Sequence, residues 1–251
     1  ALVGPLPDDR TLALPYMRLD LLQDDYVTAH NLDQIGRTED LRFGTQLSAE
    51  LGVSQAALGA NRNAFVASLG ASRGYRLVHE QSLFLAGSWG SRLEGGSLRD
   101  SLLSVSSRYF WRASGKTVLF VGLAADKGSA LDLDHELMLG GDTGLRGYPL
   151  RYQTGTARAL LTVEGRYFTN WYPLRLARVG AAVFADIGRT WGASALAVPE
   201  LGTLRDVGIG LRFGNTRSAL GNVLHVDLAF PLDGDPSVKS MQFLLKTYKS
   251  F

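Results

Sequence analysis

Few residues in this sequence are arranged to do chemistry, and the best placed is an arginine in a glycine-rich stretch. Leu139 to Pro149 reads Leu-Gly-Gly-Asp-Thr-Gly-Leu-Arg-Gly-Tyr-Pro. Gly140, Gly141, Gly144 and Gly147 can take positive φ without a Cβ penalty, so the stretch can fold tightly against another surface. Arg146 sits in its middle, and a guanidinium taken out of water needs carboxylate partners. Two acids follow in the sequence, Glu164 in Glu164-Gly165-Arg166 and Asp186 in Phe184-Ala185-Asp186-Ile187-Gly188. Two arrangements fit these residues. Either Arg146 folds inward between Glu164 and Asp186, with Gly180 and Gly188 leaving room beside the acid, or Arg146 is a solvated loop residue and the acids line a wet channel.

Two further groups could carry a reaction or a metal. Gly70-Ala71-Ser72-Arg73-Gly74 matches the nucleophile-elbow pattern, which requires a strand, a strained turn and a helix. Here Tyr75-Arg76-Leu77-Val78 and then another strand follow, so small residues on a strand explain the match. A membrane-barrel lipid hydrolase needs a serine and a histidine on adjacent lipid-facing strands. His225 falls on a polar face, and His30, His79 and His135 lie near ends or loops. Asp132, Asp134, Glu136 and Asp142 could chelate a hard cation such as calcium. No loop-closing glycine stands at the usual offset, so a solvated charge cluster is expected. These residues imply no catalytic site, no metal and no cofactor in this chain; a catalytic domain upstream of it stays compatible with them.

The elements that would position these groups are strands. Leu41, Phe43, Thr45, Leu47, Ala49, Leu51 and Val53 alternate with polar or small residues, which predicts one long strand. The alternation recurs at Leu83–Trp89, Leu103–Trp111, Ala157–Tyr167, Val179–Ile187, Val207–Phe213 and Leu224–Phe230. A first strand is expected over Leu14–Val27 and a last one from Met241 to Phe251. About eleven strands of about ten residues each fit tilted transmembrane strands, where many soluble strands run to about 5–6 residues. Tyr75, Trp111, Tyr167, Trp171, Tyr172, Trp191 and Tyr248 fall near strand ends, as in an interfacial girdle. Tight connections such as Ser114-Gly115-Lys116 alternate with long ones at 127–155 and 192–203.

Composition agrees. The 251 residues are 45% hydrophobic and 20% charged, with 29 glycines. No run of about 18 apolar residues is present to make a membrane helix. A net charge of +2 gives no footprint for nucleic acid, and the absence of cysteine excludes disulfides and thiolate metal sites. Periodicity alone also fits a soluble all-β protein with one packed core. Strand length, girdles, glycine content and loop asymmetry favour a membrane barrel, and in lipid only a closed barrel satisfies every backbone group. The expected organisation is a lead-in over 1–13 and an all-β, transmembrane antiparallel barrel over 14–251, with 127–155 as a long extracellular loop. Placing Phe251 at the periplasmic end puts that loop outside. The odd strand count suggests a strand hidden in 1–40 or, the favoured expectation, a chain that continues upstream.

On these residues the sequence resembles a family. Leu145-Arg146-Gly147-Tyr148 is similar to the Val-Arg-Gly-Phe/Tyr loop motif of the BamA/TamA and two-partner-secretion transporter superfamily, the bacterial surface antigen domain. Phe184 to Gly188 resembles its Phe-x-Asp-x-Gly strand, Glu164-Gly165-Arg166 its Glu-x-Arg strand, and Phe251 the aromatic end of an outer-membrane sorting signal. The likeness is best over 117–251. It implies a sixteen-strand barrel of which this chain supplies eleven or twelve, with the loop inside the lumen and Arg146 contacting the Glu164 and Asp186 strands. It also implies a bacterial outer-membrane location, and partners in lipid, a polypeptide cargo or passenger, and the barrel-assembly machinery. The expected function is insertion or translocation of polypeptide by the C-terminal part of a larger exporter. A passive pore for small solutes is the alternative, and a lipid hydrolase a distant third.

Overall fold

The computed structural model describes residues 9–78, 80–192, 201–215, 222–234 and 236–249, and most of them are extended. In chain order the strands are β1 (Tyr16–Leu22), β2 (Tyr26–His30), β3 (Thr38–Arg42), β4 (Gln46–Ser54), β5 (Ala64–Arg76), β6 (Gln81–Glu94), β7 (Ser97–Arg112), β8 (Thr117–Ser129), β9 (Leu137–Leu139), β10 (Gln153–Gly155), β11 (Ala157–Phe168), β12 (Ala177–Trp191), β13 (Leu204–Asn215), β14 (Asn222–Pro231) and β15 (Gln242–Lys249). Eleven form one antiparallel sheet, ordered β1-β4-β5-β6-β7-β8-β11-β12-β13-β14-β15. Two short ribbons, β2–β3 and β9–β10, stand apart from it.

The alternation in the sequence sorts side chains between two unlike faces. On β12 Phe184, Asp186 and Gly188 are buried, while Val183 and Ile187 are exposed. On β13 Asp206 and Arg212 point inward and Val207, Ile209 and Leu211 outward. On β14 Val223, His225, Asp227 and Ala229 point inward. The outer face is therefore apolar and open, and the inner face carries buried charge. Exposed aromatics stand near both rims of the outer face. Tyr75, Trp111, Tyr167 and Trp171 lie toward one end, and Tyr16, Phe65, Trp191 and Phe230 toward the other. The side chain of Tyr248 lies outside the described residues.

We call the end holding the β7–β8 and β11–β12 connections the turn end, and the opposite end, with residues 130–156, the loop end. The expected asymmetry holds only in part. The β6–β7 connection at the loop end is a two-residue turn, Gly95-Gly96, with both residues at positive φ, the conformation that a tight hairpin requires. The long loop also contains the β9–β10 ribbon.

Two strand expectations fail near the N-terminus. The strand expected over Leu14–Val27 stops at Leu22. There the chain leaves the sheet, with the Phe43 N–H bonded to the Asp25 carbonyl (2.8 Å) and the Gln23 N–H to that of Thr45 (2.8 Å). The strand expected to run unbroken from Leu41 to Val53 is broken between Arg42 and Gln46. Leu41 and Phe43 are buried inside, whereas Leu47, Leu51 and Val53 lie on the open outer face. Gly44 permits the break, because a Cβ there would lie 1.9 Å from the Gln23 carbonyl oxygen.

The β2–β3 ribbon lies inside the sheet. Its Leu32, Ile35, Leu41 and Phe43 share one buried cluster with Phe110 on β7, Val118 on β8, Phe168 just at the end of β11 and Val223 on β14. Gly74 on β5 donates its N–H to the Phe43 carbonyl (3.2 Å). In the sheet order β5 and β14 are seven strand spacings apart, about 34 Å if flat at ~4.8 Å per spacing. A two-stranded ribbon can meet both only if the sheet is curled around it. No hydrogen-bonded pairing joins β1 to β15 among the described residues, so the curl is seen and the expected closure is not.

Candidate functional site

The loop between β9 and β10 folds into the curled sheet from the loop end. Gly140 anchors it, its carbonyl accepting N–H bonds from Thr143, Gly144 and Leu145 at 3.0–3.1 Å. Leu145 and Tyr148 are buried with Leu139 and Leu204. Gly188 leaves room for this packing, since a Cβ there would lie 3.1 Å from Leu139 and 3.2 Å from Leu145. Gly147 lets the backbone rest on β13, where a Cβ would come within 2.5 Å of the Asp206 Cβ. The Tyr148 hydroxyl lies 2.8 Å from the Arg205 carbonyl and 2.9 Å from that of Asp233, so it ties the loop to two wall segments. Its ring stacks on Tyr152 at 5.5 Å.

This packing delivers Arg146 to the inner wall. Its Nε donates to Asp186 Oδ2 at 2.7 Å and its Nη2 to Asp186 Oδ1 at 3.1 Å, a bidentate pair. Its Nη1 donates to Glu164 Oε2 at 2.7 Å, and its Cζ stands 3.3 Å from the centre of the Phe184 ring. Arg146, Glu164 and Asp186 are 5%, 3% and 0% exposed, so the group is withdrawn from water. Thr162, opposite Asp186 in the β11–β12 register, donates its hydroxyl to Asp186 at 2.7 Å. Of the two glycines expected beside Asp186, only Gly188 serves the loop. Gly180 lies toward the other end, where a Cβ would meet Ile35 of the inner ribbon.

The ion group extends beyond the residues that the motifs pick out. Arg212 donates to Glu164 Oε2 at 2.9 Å and also bonds Asp227. Gly210 makes that meeting possible, because a Cβ there would lie 1.9 Å from Asp227 Oδ1. Arg166 donates to Glu164 Oε1 at 2.9 Å and to Asp33 at 2.8 Å. Glu164 thus joins three guanidinium groups. Such a network fixes geometry more than it adds net stability, because desolvation offsets much of the attraction. Arg212 and Asp227 carried a signal that motif reading passes over, since each is a charged residue between two apolar ones on the inward face of its strand. A cavity of about 680 Å³ lies beside the network, lined in part by Asp142, Arg146, Glu164, Arg166, His225 and Lys246.

The other candidates fall elsewhere. Ser72 lies within β5, paired with Gln46 and Ala86 in regular register, which is strand and not elbow. His225 is on the buried inward face. His79 and Phe251 lie outside the described residues. The acidic cluster is already engaged by arginines. Arg92 donates to both Asp132 oxygens at 3.0 and 3.2 Å, Arg10 bonds Asp132 and pairs with Asp134 at 3.5 Å, and His135 Nδ1 is 2.7 Å from Asp100. Burial alone would raise the Asp132 carboxyl, but the Arg92 hydrogen bonds and the neighbouring charges outweigh it and hold it below the usual carboxylate value. Asp100, Asp132 and His135 bring three potential ligand atoms within 4.8 Å of one another, yet the guanidinium of Arg92 already sits against this group.

No family model matches the chain, and no curated protein matches it. Among solved structures it is similar to BamA from Haemophilus ducreyi lacking POTRA domains 1–3, with 12% identity and a TM-score of 0.42 over 95% of this chain and 71% of that one.

Proposed function

We propose that this chain is a bacterial outer-membrane barrel that inserts or passes polypeptide, working without a catalytic group or cofactor of its own. The observation that carries the reading is the inversion of polarity across one sheet. Val183 and Ile209, paired on adjacent strands, are 61% and 55% exposed on the outer face, while Arg212, Asp186 and Glu164 are buried within. Soluble monomers rarely leave so continuous an apolar surface open. Lipid on the outside and a polar lumen on the inside account for both faces. The Arg146 network then braces the inner wall of β11–β14 and holds the loop inside, a mechanical part that no bond-making step requires. Outer-membrane lipid, a polypeptide cargo or passenger, and the barrel-assembly machinery are the partners this reading calls for.

Reconstitution tests it. The full chain is placed in liposomes and given an unfolded outer-membrane polypeptide, and the share of that polypeptide protected from added protease is followed with time. Protection that rises with the chain present, and falls to the level of empty liposomes for Arg146→Ala, is the expected result. Fast efflux of small solutes with no gain in protection would overturn the reading and favour a passive pore.

A further inference from the structure

The element that the motifs do not announce is the hairpin over residues 26–42, which enters the curled sheet from the turn end, opposite the loop. Its tip is organised by its own bonds. The Glu39 carboxylate accepts the N–H groups of Leu32 and Asp33 at 2.7 and 2.9 Å, and the Asn31 side chain accepts that of Gly36 at 2.7 Å. Asn31 and Gly36 both sit at positive φ, which asparagine and glycine tolerate best. The hairpin is therefore a preformed body and not a loop shaped only by its surroundings.

Its contacts with the wall are specific but leave space. Ile35 sits over two glycines, and a Cβ at Gly180 or Gly214 would lie 3.3 or 3.0 Å from it. Asp33 pairs with Arg166 at 2.8 Å. Asn31 Nδ2 donates to the Gly115 carbonyl at 3.2 Å, and Arg37 to that of Asn215 at 3.3 Å, so the tip is tied to the β7–β8 turn and to the end of β13. Between the hairpin and strands β5–β7 there remains a cavity of about 340 Å³, bordered by Asp40, Arg42, Ser72 and Arg108, and the larger cavity described above opens beyond Asp33. A permanent core is close-packed; this body is flanked by voids of about 340 and 680 Å³ whose linings mix charged and apolar side chains. Both of its legs pass one point, where Gly44 lies against the Gln23 carbonyl, and that crossing is where a hinge would act.

We propose that the 26–42 hairpin is a plug, which closes the lumen at the turn end and swings out as one body to open it. The proposal rests on the reading of the curled sheet as a membrane barrel. Arg166 links the plug to the loop, because it bonds Asp33 on one side and Glu164, the partner of Arg146, on the other. The two elements that fill the lumen from opposite ends thus share one chain of charges.

The chain has no cysteine, so an Ile35→Cys/Gly214→Cys pair reports on this contact alone. The Cβ separation of 3.0 Å needs to open by only about 0.5 Å to reach the disulfide range. Each variant is first mixed with liposomes and floated on a density gradient, and its conductance is then recorded in planar bilayers. With the pair oxidised, open probability is expected to fall about tenfold or more against the same variant reduced. Each single-cysteine variant, which carries the added bulk at position 214 or the lost Ile35 side chain without the bond, is expected not to respond to reductant. Ile35→Asp, which sets a charge among Phe110, Phe168 and Val223, is expected to raise open probability by a similar factor. Variants that float but conduct alike with the disulfide made or broken, or an Ile35→Asp chain no more open than the unmodified one, would overturn the plug alone. Failure of every variant to float would overturn the membrane reading beneath it.

Discussion

Truncating Arg146 to alanine withdraws one guanidinium from two buried acids that it hydrogen-bonds, and from Asp227 at 3.5 Å, and the losses at the two bonded acids are unequal. Glu164 keeps Arg166 and Arg212, each within 2.9 Å. Asp186 loses a bidentate partner and retains the Thr162 hydroxyl at 2.7 Å. Stranding a buried charge in this way costs about 3–5 kcal/mol, and most of that cost should fall on Asp186. Arg146→Lys keeps the charge but loses the fork and the Phe184 stacking, so about 1–3 kcal/mol is expected. The assay is urea unfolding of the detergent-solubilised chain, with hydrogen exchange over 140–148 as a local readout. The double variant with Asp186→Asn isolates the pair, and a coupling of about 1–3 kcal/mol is expected. Single losses that simply add, or an Arg146→Ala chain within about 0.5 kcal/mol of the unmodified one, would mean that Arg146 is a solvated loop residue and that the brace does not exist.

Other outcomes follow from neighbouring geometry. Gly147→Ala places a Cβ 2.5 Å from the Asp206 Cβ and 3.0 Å from the Pro231 nitrogen, so overpacking should cost about 1–3 kcal/mol and speed protease cleavage of the loop; unchanged cleavage contradicts the docked backbone. The Asp132 carboxyl is held below its ordinary value of 3.8, so its contribution is present above that pH and is lost as pH falls through the depressed folded value. The Tm difference between the unmodified chain and Arg92→Ala should therefore stay constant from pH 7 to about pH 5 and shrink in more acid solution; a difference that grows on acidification refutes the assignment. Calcium at millimolar concentration should leave Tm unchanged, because Arg92 and Arg10 already meet the Asp132 carboxylate. A rise in Tm with calcium would show that a cation displaces them.

Much of this arrangement was legible in the residues, and the reasons are local. The parity of Glu164, Asp186, Arg212 and Asp227 follows from strict alternation in strands with one apolar face, so their common side was legible; that this side is the inner one is set by the curl of the sheet. The glycines of the loop announced a close approach, and Gly147 against Asp206 realises it. The pairing of Arg146 with Glu164 and Asp186 was one of two arrangements the residues left open, and the structure takes it. That Arg212 would also bind Glu164 and Asp227 was not legible, because register across β11, β12, β13 and β14 depends on connections whose residues do not encode it. The hairpin was hidden for another reason. Period-two alternation runs on through Gly44, so Leu41 and Leu47 look equivalent, although one is buried in the cluster inside the curled sheet and the other lies on the outer face. The tip, Leu32-Asp33-Gln34-Ile35, carries neither strand nor helix periodicity. Its order comes from the Asn31 and Glu39 side chains, and no local pattern reports that.

The central claim is that the outer face meets lipid while the charged face lines the lumen, and Ile209→Arg tests it most directly. Ile209 is mid-strand, exposed, and beside Val183. Folding free energy is measured by reversible urea titration in liposomes and set against the same titration of Ile209→Ala. An extra cost of about 2–4 kcal/mol for arginine over alanine is the predicted result, as for a charge near the bilayer midplane. Arginine tolerated at that position as well as alanine would mean that water covers this face, and the membrane-barrel account would be wrong.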